Sequence, residues 1–320
     1  MKKLILILLT LSLVTACENE ALDTDLTDQN AGDDGGDDGG DDSGDDGSES
    51  ADLSLSLYKL DTELNASIFG IPIEAITYST FNINNNIIVS GTNELSANGS
   101  PFETENQTIT RNSSGQITSD ISVNSDGVTT NETLVTYSNG SISRISYDYY
   151  IDEDEEDYVY NITYDGNLIT RTEEGSNIST VFTLDGLERI IKKESFDGTF
   201  SIQTELVTYN EVGNISSSTT IGEVESNVTY LFDNNTNPLK VVFEESYLLN
   251  FLSDDYSDEI GGQIAQFLSI NNWNGATFGG QAFNFDLEYN TVGRITSRDI
   301  AYDFGPDLMF EFNERFNYVN

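Results

Sequence analysis

A tyrosine followed two to four residues later by a glycine recurs along most of this chain, flanked by alternating β-forming residues. The clearest copy is Ile162-Thr-Tyr-Asp-Gly-Asn-Leu-Ile-Thr-Arg171. Thr, Tyr and Ile suit a pleated, half-buried surface, and Asp-Gly readily takes the positive φ angles of a tight hairpin turn. Before the turn, Tyr158, Tyr160, Ile162 and Tyr164 fall on one face of a strand and Val159, Asn161 and Thr163 on the other. Helical spacings of three and four are absent here. Val135-Thr-Tyr-Ser-Asn-Gly140-Ser-Ile142, Val207-Thr-Tyr-Asn-Glu-Val-Gly213-Asn-Ile215 and Leu287-Glu-Tyr-Asn-Thr-Val-Gly293-Arg-Ile295 repeat the form. Weaker copies surround Gly115 and Gly186, and Asn237-Pro238 replaces the glycine in a further one.

Between these turns lie return turns at Asp126-Gly127, the acidic run 152–157, Gly175, Asp197-Gly198 and Gly222. A reversal therefore arrives roughly every 9–15 residues, the rhythm of an antiparallel meander. The fold class expected is all-β: one large curled sheet or open barrel built from a long meander of such hairpins. Leu53–Leu57 reads as the first strand, and Ile71–Val89 as a hairpin broken at Asn84-Asn85-Asn86. In the segment 200–206, Phe200, Ile202 and Leu206 face one way and Ser201, Gln203 and Glu205 the other, which predicts an apolar inner face and a wet outer one. The apolar face needs a cover. The strand rhythm fails over Glu244–Phe278, where Tyr247, Leu248, Phe251 and Leu252, then Ile260, Ile264, Phe267 and Leu268, recur at helical spacing. One or two short helices near 244–270 are expected, the second weakened by Gly261-Gly262. Trp273 follows in Asn271-Asn-Trp-Asn-Gly275, read as a loop.

Three segments divide the chain. Residues 1–17 carry Lys2 and Lys3, an apolar run Leu4–Val14 and small residues, the layout of an export signal. That run is too short to span a bilayer, which takes about 20 apolar residues. Residues 18–52 hold 15 acids and no Lys or Arg, with nothing apolar enough to bury, and read as a disordered tether. As a flexible coil its ends lie roughly 30–35 Å apart. Residues 53–320 read as a single β-rich domain.

Val14-Thr-Ala-Cys17 resembles a bacterial lipobox, in which the cysteine becomes the lipidated first residue of the mature protein. Cys17 is the chain's one cysteine, so it has no internal disulfide partner. The units Tyr209-Asn-Glu-Val-Gly-Asn-Ile and Tyr289-Asn-Thr-Val-Gly-Arg-Ile resemble the YD (RHS-type) repeat. The whole layout is similar to uncharacterised Bacteroidota lipoproteins with YD-like hairpins, including the element Asp233-Asn-Asn-Thr-Asn-Pro-Leu-Lys240 and the following Leu-rich stretch Tyr247–Asn272. The resemblance implies a lipid-anchored cell-envelope protein at the outer membrane, on its periplasmic face or at the cell surface, and carries no activity with it. The repeat spacing is uneven and the array is too short for the closed shell of large RHS proteins.

The chain contains no histidine, which removes His-based triads, His general bases and the usual zinc sites. No phosphate-cradling glycine motif occurs. No enzyme is expected. Paired carboxylates acting on a carbohydrate remain the one chemistry the residues allow. Setting aside the tether's acids and Lys2 and Lys3 leaves 41 acids against 11 bases, a charge near −30 that repels nucleic acid. No cofactor is expected. Asp152, Asp154, Glu156 and Asp157, in the run Asp152–Asp157, form either a calcium site or a solvated hairpin tip. Trp273 is either a stacking platform for a sugar or a packing residue beneath the helical cover. The functional expectation is a membrane-anchored module binding a glycan or an envelope protein; a structural partner in an outer-membrane complex is the alternative.

Overall fold

The computed structural model describes residues 54–68, 71–150, 157–222, 225–305 and 308–319. The export segment, Cys17, the tether and the acids at 152–156 lie outside the described residues. Nineteen antiparallel strands form one sheet that curls into a nearly closed barrel. In chain order they are β1 (Leu55–Ile68), β2 (Ile71–Asn84), β3 (Ile87–Ala97), β4 (Glu103–Arg111), β5 (Ile117–Asn124), β6 (Thr129–Ser138), β7 (Ser141–Tyr149), β8 (Tyr158–Asp165), β9 (Leu168–Glu173) and β10 (Ile178–Leu184). There follow β11 (Ile190–Asp197), β12 (Phe200–Tyr209), β13 (Ile215–Gly222), β14 (Ser226–Thr236), β15 (Asn271–Phe278), β16 (Gln281–Asn284), β17 (Asp286–Tyr289), β18 (Ile295–Asp303) and β19 (Leu308–Tyr318). Consecutive strands pair, and β19 returns to β1 along Leu55–Ala66. Strands β16 and β17 are two halves of one bent segment about Phe285. The first half pairs with β15 and the second with β18.

The sequence copies close in two ways: two-residue turns at Asn139-Gly140 and Gly166-Asn167, and five-residue turns around Gly115, Gly186, Gly213 and Gly293. An Asx side chain caps each five-residue turn: Asn210 Oδ1 accepts from the backbone N–H of Val212, Gly213 and Asn214, and Asn290 Oδ1 from Val292 and Arg294. Asp185 does the same for Leu187 and Arg189. Gly213 sits at φ 104° and Gly293 at φ 79°, the left-handed region that disfavours side chains. In three places a tyrosine latches a strand to the one before it. Tyr137 donates to the Ile117 carbonyl, Tyr209 to Ile190 and Tyr318 to Ile295, all at 2.9 Å. In the last two the arginine before that isoleucine stacks on the ring, Arg189 over Tyr209 at 4.1 Å and Arg294 over Tyr318 at 5.1 Å.

Three short helices interrupt the meander between β14 and β15: α1 (Lys240–Phe243), α2 (Tyr247–Ser253) and α3 (Gly261–Gln263), which runs on into a π-helical turn Ile264–Leu268. They pack inside the barrel. Phe251, Leu252, Ile260 and Ile264 join one large cluster with Ile145, Phe182, Val207 and Ile215 of the sheet. Leu239, Val242 and Phe243 join a second with Leu55, Tyr58, Ile83 and Phe316. Gly261 is required by close approach: a Cβ there would fall on the Tyr230 and Ser218 hydroxyls.

Two expectations need correction. The faces of β12 alternate as read, but the inner one is the polar one: Gln203 and Glu205 are 3% and 1% exposed, whereas Phe200 and Leu206 are 77% and 43% exposed. Residues 271–275, read as a loop, begin strand β15.

Candidate functional site

The inner face of β9–β14 grips the helical insert through its polar side chains. Arg171 donates to the carbonyls of Leu252, at 3.1 Å, and Asp254, and Lys193 to those of Asp255, at 3.0 Å, and Asp258. Ser195 reaches the Tyr256 carbonyl at 2.8 Å and Gln203 Nε2 the Ser257 carbonyl at 2.6 Å. Glu205 accepts the backbone N–H of Ile260 at 2.6 Å and of Gly261 at 2.9 Å, at the start of α3. Ser226 donates to Glu259 at 2.5 Å. This explains the inverted faces of β12. A loop threaded through a barrel carries backbone groups that no ladder satisfies, and buried unpaired groups are costly. The sheet supplies their partners, so its inner face must be polar exactly where the loop passes, at Ser257–Gly261 for β12.

The enclosed charges respond. Burial, with Glu259 beside it, pushes the Glu205 carboxyl up to about 8. Burial and the neighbouring Asp254 push Asp258 up to about 7. Burial, reinforced by Arg171, pushes Lys193 down.

At the closing seam stands a second polar group. Arg298 on β18 and Glu314 on β19 form an ion pair with both side chains fully buried, Arg298 Nη2 lying 2.7 Å from Glu314 Oε1. Tyr58 of β1 donates to the same carboxylate at 2.5 Å and Gln266 of the π-helical turn at 3.0 Å. One carboxylate thus joins β1, β18, β19 and the insert.

The inner wall of β2–β5 is different. Cross-strand partners share a face, and the register places Ser79, Asn93 and Glu105 in one row and Gln107 with Ser122 in the next. Asn93, Glu105, Gln107 and Asp120 are half-buried, so solvent reaches them. Gln107 lies flat over Gly91, where a Cβ would collide with its amide oxygen, and donates to Asp120 at 2.6 Å. The amide is therefore held in place before any ligand arrives. Farther round the same face, Tyr147, Tyr158 and Tyr160 stack in series, with centroids 5.1 and 4.4 Å apart. Near one end of the barrel, Ala66, Ile73, Glu74, Asn98, Asp303 and Leu308 line part of a cavity of about 910 Å³.

Of the residues singled out from sequence, Trp273 is 6% exposed. Its ring packs edge-on against Phe285 at 4.8 Å, and Nε1 donates to the Gly275 carbonyl at 2.8 Å. A ring so enclosed offers no free face to a sugar. Asp157 is exposed and accepts the Tyr149 backbone N–H at 2.9 Å, while Asp152, Asp154 and Glu156 lie outside the described residues. Among the described residues no helix is long and apolar enough to cross a membrane, and no three acids gather at metal-binding distance. The inner residues Gln107, Asn93 and Glu259 escaped the sequence reading, which assigned Glu205 to the wet outer face. The available signal was Gly91 in mid-strand, since a glycine inside a strand marks a close approach.

No protein-family model and no curated protein matches the chain. Among solved structures, a porin-like protein from Bacteroides uniformis aligns over 83% of this chain and 98% of its own, at 9% identity and a TM-score of 0.45. A porin-like protein from Bacteroides vulgatus aligns over 68% and 97%, at 12% identity and a TM-score of 0.29. A TcdB2-TccC3 structure aligns over 77% of this chain and 14% of its own, at 11% identity and a TM-score of 0.28.

Proposed function

We propose that this chain is an envelope-anchored binding module, tethered through Cys17 and its acidic linker, that takes a polar ligand of the glycan class on the inner wall of β2–β5. The observation that carries the reading is the fixed Gln107 amide, held between Gly91 and Asp120 on a solvent-reached concave surface. Elsewhere on the inner face, polar side chains grip the insert or close the seam. Here three strands present the amides of Asn93 and Gln107 and the carboxylates of Glu105 and Asp120 toward solvent, the donor and acceptor mix that fits sugar hydroxyls. The YD-like hairpins supply the scaffold, and the lipobox supplies the address. The acid pair Glu205 and Glu259 is buried, at 1% and 7% exposure, out of reach of a polymer substrate, which favours binding over hydrolysis.

A glycan array probed with the purified chain tests this reading. Binding is expected to at least one neutral or amine-bearing glycan, since the wall is acidic. Gln107→Ala and Asn93→Ala should weaken it by about tenfold, the worth of one lost hydrogen bond of ~1.4 kcal/mol. Trp273→Phe should leave it unchanged. An array with no hits, or hits indifferent to both wall substitutions, would sink the proposal.

A further inference from the structure

The charges enclosed where the sheet grips the insert do not balance. Arg171 and Lys193 stand against Glu205, Glu259, Asp254 and Asp258, and all six are at least nine-tenths buried. Two carboxylates are in excess. Asp254 and Asp258 sit with the cations: Arg171 and Lys193 bind their backbone carbonyls, Asp254 Oδ2 accepts from Gln263 at 2.8 Å, and Asp258 Oδ2 accepts the Asp255 N–H at 2.8 Å. The excess therefore falls at Glu205 and Glu259. In the same place two buried oxygens lack a hydrogen-bond partner, Gln203 Oε1 and Thr220 Oγ1, on side chains 3% and 2% exposed. The register brings them together. Thr220 pairs directly with Glu205 across β12–β13 and with Ser226 across β13–β14, and Ser226 holds Glu259. Gln203 lies two residues from Glu205 on the same face of β12.

We propose that Glu205, Glu259, Gln203 Oε1 and Thr220 Oγ1 form a buried site for one hard divalent cation of the calcium class. A water molecule there would satisfy the two orphan oxygens and leave the charge excess untouched. Protons on Glu205 and Asp258, the two carboxyls that burial pushes up, would cancel the charge but serve at most one orphan, because the Asp258 carboxyl sits with Asp255 and the cations. A doubly charged, oxygen-seeking ion answers both. The donors are all oxygens, with two carboxylates and two neutral groups, and calcium accepts mixed, irregular oxygen shells that magnesium does not. The ion would link β12 and β13 to the N-terminal end of α3, so its effect is to fasten the insert in the barrel. This site is separate from the acidic run 152–157, and it does not depend on the glycan reading.

The purified full chain, stripped with a chelator, tests the site by thermal unfolding with and without calcium. Calcium at ~100 times its dissociation constant is expected to raise the midpoint by about 5 °C, and magnesium to do markedly less. Glu259→Gln and Thr220→Val should each abolish most of the rise. The fourfold change Asp152→Asn, Asp154→Asn, Glu156→Gln, Asp157→Asn should preserve it. Terbium gives a second readout: tyrosine-sensitised emission should fall in Tyr230→Phe, because the Tyr230 hydroxyl bonds Ser218, two residues from Thr220 on the same face of β13. Should Glu259→Gln fail to fold, Thr220→Val, nearly isosteric, still decides. No rise with calcium, an equal rise with magnesium, a rise that survives Thr220→Val, or one lost with the loop substitutions would each overturn the site.

Discussion

Glu314 is the residue whose loss should do most damage. Replacing it with alanine leaves the Arg298 guanidinium buried without a countercharge, and strips the Tyr58 hydroxyl and the Gln266 amide of their shared acceptor. Removing one partner of a buried ion pair costs about 3–5 kcal/mol, and each orphaned neutral donor adds ~1–3 kcal/mol, with overlap because the four groups act as one network. A total of about 5 kcal/mol follows, against the 5–15 kcal/mol that holds a typical domain folded. Guanidinium denaturation followed by tryptophan fluorescence measures it directly. Trp273 is the one tryptophan, its carbonyl accepts from Arg298 Nη1 at 3.4 Å, and its ring lies 5.9 Å from that guanidinium. The double change Arg298→Met, Glu314→Leu removes both charges while filling the space, and should regain all but about 2 kcal/mol of the loss. If Glu314→Ala costs less than ~1 kcal/mol, or if the double variant is as unstable as the single one, the pair is not the fastening of the seam argued above.

Other outcomes follow from the same geometry. In chelator, stability should fall as pH rises from about 5 to about 8. Glu205 and Asp258 hold their protons in the folded state up to about 8 and 7, whereas unfolded carboxyls release theirs near 4, so the folded state binds more protons across that window. The slope is at most ~1.4 kcal/mol per pH unit per group, and Glu205→Gln should flatten the upper part of the curve; a flat wild-type curve would refute the assignment. Gly261→Ala should destabilise by about 2–4 kcal/mol in denaturant titration, because its Cβ meets the Ser218–Tyr230 pair. Cys17→Ser should release the chain from the membrane fraction and abolish labelling by a fatty-acid analogue.

The strands were legible because their cause is local. Thr and Tyr alternation, Asx caps and glycines at positive φ all act within ten residues, so Tyr209-Asn-Glu-Val-Gly213 announces its turn wherever the rest of the chain goes. The helices α2 and α3 are legible for the same reason, through the spacing of Tyr247, Leu248, Phe251 and Leu252 and of Ile260 and Ile264, whereas α1 at Lys240–Phe243 falls before the stretch where helical spacing begins. Sidedness was not. Alternation fixes which residues share a face of β12 but not which face turns inward, and the usual inference from apolarity fails for Gln203 and Glu205. Their partners lie 54 to 56 residues away in a loop whose path is a tertiary fact. Trp273 reads as a loop residue because its three asparagine neighbours are turn formers, whereas pairing with Phe232 and burial against Phe285 draw it into a strand.

The strand count explains why the chain needs an insert at all. Nineteen strands spaced about 4.8 Å apart and tilted as in known barrels would enclose, if circular, a ring roughly 30–40 Å across. Side chains from opposite walls fill only the outer part of such a ring, and a helix about 10 Å in diameter is the natural filler. Three short helices do that work against β6–β19, where Ile145, Phe182, Val207 and Phe251 share a core, and against β1–β3, where Phe243 packs with Tyr58, Ile83 and Ile88. They leave β4 without a single fully buried side chain along its nine residues. On β4 the alternation persists, with Glu105 and Gln107 inward and Asn106 and Thr108 exposed, and Gln107 is fixed by a glycine that costs the neighbouring strand β propensity. The filling of the barrel is therefore uneven along β4 itself: its 109–111 end meets the insert, through Ile109 against the second cluster and the Arg111–Glu245 ion pair at 3.9 Å, and Glu105 and Gln107 belong to the stretch that the proposed glycan reading uses.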